Sequence, residues 1–183
     1  MLVVFGGLPG TGKTTIARQI AARHSATYLR IDEVEQAIRA AGVLSGDIGP
    51  AGYLVANALA ASNLANGLTV VVDCVNPIKE SRQGWRETAA RAQTRLIEIE
   101  VVCSDLAEHR RRVETREPDI HGLILPSWQA VLERNYSPWE EPHLIVDTAS
   151  LTPHEAIALV EQQWLGNNRD GPRQAAVKQN RKR

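Results

Sequence analysis

Apolar runs rich in β-branched side chains recur along the chain at Leu2–Phe5, Thr27–Ile31, Leu68–Val72, Leu96–Val102 and His143–Val146. Between them apolar positions fall three or four residues apart, the spacing of one helical face. The alternation predicts β and α segments in turn. Runs such as Val70-Val71-Val72 carry no polar alternation, so those strands are buried on both faces, as happens when helices cover a parallel sheet. The fold class this predicts is α/β, a three-layer α/β/α sandwich on a five-stranded parallel sheet. Helices are expected over Lys13–His24, Glu33–Ala41, Tyr53–Asn66, Ser81–Gln93, Leu106–Glu117, Ser127–Asn135 and Pro153–Trp164, the last opened by a proline that suits a first turn. The Gly/Pro-rich stretch Gly42–Gly52 reads as a hinge or a lid.

Composition narrows this only a little. A length of 183 residues suits one domain, and no apolar run approaches a bilayer's thickness. The start, Leu2-Val3-Val4-Phe5, lacks a basic flank and cleavage site, so a cytoplasmic, non-membrane protein is expected. Cys74 and Cys103 read as buried, reduced thiols. The zero net charge hides an asymmetry: residues 1–165 hold 15 Lys/Arg against 20 Asp/Glu, while residues 166–183 hold six against one. The division expected is therefore a globular unit over 1–165 and a basic, disordered tail over 166–183. A body of −5 disfavours a general nucleic-acid groove, although the tail could touch nucleic acid. The sequence offers no interface from which to read an oligomeric state.

The chemistry is concentrated in Gly7-Leu8-Pro9-Gly10-Thr11-Gly12-Lys13-Thr14, followed by Thr15. This fits G-x-x-x-x-G-K-[ST] between a strand and a helix. Glycines let the backbone fold into a nest of amides, and the helix N-terminus adds partial positive charge, so a triphosphate fits. Lys13 would reach the β- and γ-phosphates of ATP, and the Thr14 hydroxyl would enter the Mg²⁺ shell.

Other strand ends supply partners. Asp73 closes the third strand, where a second acid would hold Mg²⁺. Cys74 follows it, where ATP-hydrolysing machines place a water-activating Glu. No Asn-Lys-x-Asp motif suggests GTP. Transfer to a hydroxyl is thus favoured over hydrolysis. Asp32 follows the second strand. It reads either as an N-cap, with Glu35 completing a capping box, or as an acid accepting a hydroxyl proton. Asp32, Gln36 and Arg39 share one helical face, and Arg39 would grip an anionic group. In Glu108–Arg116, Arg112 and Arg116 stand one helical turn apart and would clamp the transferring phosphoryl group, with Arg110 or Arg111 facing solvent. The lid would extend over about 110–126, with Glu117–Gly122 as its mobile edge. Arg82 could reach substrate. Asp147-Thr148 could edge an adenine pocket, and Trp128, Tyr136 and Trp139 read as core.

Gly7–Thr14, Asp32, Asp73 with Arg82, and Arg112 with Arg116 together resemble the small P-loop kinases. These include adenylylsulfate kinase, chloramphenicol phosphotransferase, the zeta toxins, gluconate kinase and bacteriophage polynucleotide kinase. Val72–Pro77 and Val101–Asp105 resemble an AAA-family ATP-binding group within them. The likeness covers about residues 1–165. It implies a strand order of 2-3-1-4-5, ATP and Mg²⁺, Asp32 near the acceptor hydroxyl, and a kinase acting on a small molecule or nucleotide. A polynucleotide 5′-hydroxyl kinase and a non-kinase ATP-binding switch are the alternatives.

Overall fold

The computed structural model describes residues 1–42 and 46–166. Its five strands are β1 (Leu2–Gly6), β2 (Thr27–Arg30), β3 (Val70–Asp73), β4 (Leu96–Val102) and β5 (Leu144–Asp147). They form one parallel sheet of order β2-β3-β1-β4-β5. The helices are α1 (Lys13–Arg23), α2 (Ile31–Ala40), α3 (Ala51–Ala65), α4 (Lys79–Arg91), α5 (Leu106–Thr115), α6 (Trp128–Leu132) and α7 (Pro153–Gly166). Fold class and strand order are those the sequence implies. The expected tail lies outside the described residues, apart from Gly166.

The apolar runs form two cores because successive strand side chains point to opposite faces. Val3, Phe5 and Val71 join Ile16 and Ile20 of α1 and Ile157 and Val160 of α7. Leu2, Val4, Val70 and Val72 join Ala56 and Ala60 of α3 and Trp85 of α4. Each fully buried Ile or Val contributes roughly 1.5–3 kcal/mol of transfer free energy. The central strand β1 is buried along its whole length, so the loop leaving it starts from a rigid platform.

Several boundaries differ from the pattern, and each has a local cause. β3 starts at Val70 because the Leu68 amide bonds back to Asn63 of α3, and Leu68 is exposed. β2 ends at Arg30, and α2 begins one residue later at Ile31. α5 stops at Thr115, since the residue before Pro118 is pushed out of the helical region. Arg116 is extended and lies off the helix, so it and Arg112 are not one helical turn apart as expected. α7 opens with Thr152 and Glu155 in a reciprocal capping box around Pro153.

Candidate active site

The segment between β1 and α1 folds as its glycines require. Gly7, Gly10 and Gly12 have φ of 139°, 85° and 91°. A Cβ at Gly7 would collide with the Val101 carbonyl oxygen, and one at Gly10 would lie 2.5 Å from Val113 Cγ2. Three carbonyls of this loop are engaged by side chains. Thr11 Oγ1 donates to Leu8 O at 2.9 Å, Thr148 Oγ1 donates to Thr11 O at 2.8 Å, and His109 Nε2 lies 2.8 Å from Pro9 O. The first amides of α1 have no intrahelical acceptor and face the concavity. An amide nest at a helix N-terminus results, with Lys13 buried at its base.

Two cavities meet at Lys13. One, of about 300 Å³, is lined by Gly10, Gly12, Lys13, Thr14 and Thr15 with Arg18, Arg112, Arg116 and Asp119. The other, of about 390 Å³, contains Asp32, Glu35, Gln36, Arg39, Tyr53 and Arg134, with Pro9, Lys13 and Arg116 at its border. Lys13 and Arg116 line both. A third hollow of about 250 Å³ adjoins the nest, between Gly12, Thr15, Ile16, Arg112, Thr148, Leu151 and Pro153. Gly7, Leu8 and Thr11 build the loop and line none of these three.

Asp32 sits in the first turn of α2, not at its cap. Arg30 occupies the cap position without a side-chain bond, so the capping-box reading of Asp32 and Glu35 does not hold. Asp32, Gln36 and Arg39 do share the pocket-facing side of α2. Arg39 pairs with Glu35 at 3.2 Å. Burial nevertheless pushes the Glu35 carboxyl above its ordinary range, against the pull of Arg39.

Behind Lys13, Phe5, Asp73 and Arg30 stand in one row across β1, β3 and β2. Asp73 is buried, its Oδ2 accepts from the Tyr28 hydroxyl at 2.8 Å, and its Oδ1 has no partner. Burial, then the charge of Asp73, pushes the Cys74 thiol far above its usual range. That thiol stays protonated and cannot activate water. Arg30 escaped the sequence reading. Its side chain is 1% exposed and donates through both terminal nitrogens to Asp119, at 2.7 and 3.0 Å. The one available signal was a charge closing an apolar run. Tyr53, Arg134 and Asp119 were missed as well, because only the tertiary fold brings them to the cavities.

The arginines divide by role. Arg110 and Arg111 are exposed and paired with Glu114 and Glu108. Arg112 is held by Glu108 and by both oxygens of Thr148, at the rim of the nest. Thr148 thereby edges the third hollow instead of merely opening a helix. Arg82 lines none of the cavities that meet at the nest. Buried, it donates to the carbonyls of Asn76, Ser137 and Pro138 and lies over the Trp139 ring, so it ties the loop before β5 to α4. Trp139 in turn covers Gly6, where a Cβ would strike it. Trp128 packs edge-on against His109, and the Tyr136 hydroxyl donates to Glu100.

Residues 2–133 match the AAA_33 family, described as an AAA domain. A Mycobacterium tuberculosis protein, uncharacterised Rv2004c, is 30% identical over 110 residues, covering 54% of this chain. The chain spans 22% of that relative's length, and the same holds for the Mycobacterium bovis protein Mb2027c. Among solved structures, a sugar kinase from Janibacter sp. matches with a TM-score of 0.66 at 19% identity, covering 90% of this chain and 94% of that one. A gluconokinase from Sinorhizobium meliloti matches with 0.62 at 23%, covering 91% and 93%. The Mycobacterium tuberculosis APS kinase, solved with AMPPNP and APS, matches with 0.62 at 20%, covering 87% and 96%. At these identities the likeness is one of fold. Among the described residues no helix is long and apolar enough to cross a membrane.

Proposed function

We propose, from the premise that this chain belongs to the AAA-domain family AAA_33, that it is a small P-loop kinase transferring the γ-phosphate of ATP to an alcohol. One observation carries the reading: Lys13 and Arg116 border both the amide-lined cavity and the cavity that holds Asp32. A phosphoryl group passing between the two would stay within reach of both cations throughout. The sugar kinase, the gluconokinase and the APS kinase whose fold it shares agree with this reading.

The polyphosphate would lie in the nest, with its base in the hollow between Arg112, Thr148, Leu151 and Pro153. Arg112, fixed by Thr148, offers a planar guanidinium face for that base. A magnesium ion fits this chain's residues, because Asp73 Oδ1 is buried without a partner and Thr14 lines the phosphate cavity. When bound, it would neutralise developing charge on the phosphates. In the step itself the acceptor hydroxyl gives its proton to Asp32, its oxygen forms a bond to the γ-phosphorus, and the bond to the β-phosphate oxygen breaks to release ADP. Lys13 and Arg116 stabilise the charge spread over the equatorial oxygens.

The acceptor pocket supports a class of alcohol. Arg39 and Arg134 line it beside Glu35, two guanidinium groups against one carboxylate. Tyr53, Val75, Pro77 and Leu123 supply apolar surface. Seven residues separate Asp32 from Arg39, about 10 Å of helix axis, and the Arg39 side chain leans back toward Glu35. An alcohol carrying a carboxylate or phosphate several bonds from the reacting hydroxyl fits that span. The direct test is an acceptor screen in matched pairs: gluconate against glucose, and nucleoside monophosphates against nucleosides. Acceptor-dependent ADP formation favouring the anionic members is expected, and Arg39→Met should raise KM for them while leaving that for ATP unchanged. ADP release that no acceptor stimulates would instead support an ATP-hydrolysing switch.

A further inference from the structure

Arg30 carries one positive charge into a place where four carboxylates approach it. Its Nη1 and Nη2 form a two-pronged bond with Asp119, from the segment after α5. Asp32 Oδ2 stands 3.6 Å from the same Nη2, and Asp73 Oδ2 lies 3.9 Å from Nε. Glu33 is 3.9 Å from Nη1 and half exposed. Arg18, at 3.1 Å, and Arg116, at 3.8 Å, approach Asp119 from its outer side. Asp73 Oδ2 already accepts from Tyr28. Asp32 is therefore the one site acid near the guanidinium that lacks a hydrogen bond and is close enough to take one.

We propose that Asp119 is a positioning residue for Asp32, acting through Arg30. A guanidinium presents its terminal N–H groups as a fork, and the seated carboxylate of Asp119 takes both prongs. Asp32 is left with a charge contact beyond hydrogen-bond distance, so its carboxylate stays free toward the pocket. When Asp119 is replaced by a neutral Asn, a guanidinium 1% exposed beneath the same segment cannot turn to water instead. A buried charge stripped of its partner is costly, so Arg30 turns to Asp32 Oδ2 and draws that carboxylate from the pocket. With segment 116–127 in this place, Arg116 lines both cavities and Asp32 is left free of Arg30. What Asp32 does once free rests on the function proposed above; the redirection of Arg30 does not.

Urea unfolding of the full chain tests the redirection with four proteins: wild type, Asp32→Asn, Asp119→Asn and the double variant. Asp32→Asn should leave the midpoint within error of wild type, because it removes no hydrogen bond there. In the Asp119→Asn background the same change should lower the midpoint by about 0.5 M, since it now deprives Arg30 of its new partner. Asp119→Glu, which keeps a carboxylate, should restore the wild-type insensitivity. Shifts that simply add would overturn the proposal. Turnover of MgATP with the best acceptor of the screen, or with water, gives the separate readout. Asp119→Asn should lower kcat at least tenfold with KM for ATP unchanged, and have no further effect once Asp32 is Asn. A non-additive unfolding cycle in which Asp32→Asn retains full turnover would leave the positioning intact and defeat Asp32 as proton acceptor. Additive unfolding with turnover lost would do the reverse.

Discussion

At the scale of single residues, the site depends on a lysine that is 6% exposed yet touches two cavities. In the proposed function its amine binds phosphate, and it has no part in the core cluster that Val3, Phe5, Ile16 and Ile20 build. Lys13→Ala should therefore abolish calorimetric heat with MgATP while the thermal midpoint stays within a few degrees of wild type. A variant that loses its fold would place Lys13 in the core and not at the phosphates. Asp32 answers to a different measurement. If Asp32 takes the acceptor proton as proposed, its replacement by Asn should lower kcat about 10²–10⁴-fold, the usual worth of a positioned base, without changing KM for ATP. The glycine motif was legible because its chemistry is local: eight consecutive residues fix both spacing and backbone. Arg30 was not, because its partner Asp119 lies 89 residues on, and a lone charge ending an apolar run looks like an element boundary.

Elements carry the next layer of control, since α5 connects the nest to the segment that covers it. Asp105 fixes the start of this helix by accepting from the amides of Ala107 and Glu108. That register turns His109 inward to Pro9 O and leaves Arg110 and Arg111 outside. His109→Leu keeps bulk against Trp128 but strands the Pro9 carbonyl. It should lower folding stability by about 1–3 kcal/mol, the cost of one buried unsatisfied acceptor, read as a lower urea midpoint. The helix was readable from periodicity, while its end was not. Pro118 breaks it early, so Arg116 leaves the helical face that spacing alone assigned to it. The segment beyond is pinned by Asp119, whose hydrogen bond to Arg30 lowers its pKa to about 2. Because the folded pKa is depressed, this pair stabilises the protein above about pH 4, the ordinary carboxylate value, and that stability is lost as pH falls toward 2. Urea midpoints measured across that window should drop less steeply in Asp119→Asn than in wild type.

For the molecule as a whole, the question is which part of the chain the chemistry needs. The three cavities and the Arg30 cluster are assembled from residues between Pro9 and Pro153, in segments that follow the carboxyl ends of the strands. Strand order came with the resemblance to the small P-loop kinases, and the sheet has that order, with β1 between β3 and β4. The charge division was plain in the sequence, yet it names no partner. Residues 1–165 carry a net −5 and residues 166–183 a net +5. A cation-rich end on an acidic body would favour a polyanion only if the acceptor were itself a polymer, and the acceptor cavity of about 390 Å³ suits one small molecule. Deleting residues 167–183 should therefore leave MgATP affinity and transfer to a small anionic alcohol unchanged within twofold. If the truncated chain instead lost affinity for single-stranded RNA, together with the salt dependence that counterion release imposes, the tail would be part of the acceptor site. In that case the pocket beside Asp32 would hold only the 5′ end of a longer strand, and the apolar surface of Tyr53 and Pro77 would be where its first base lies.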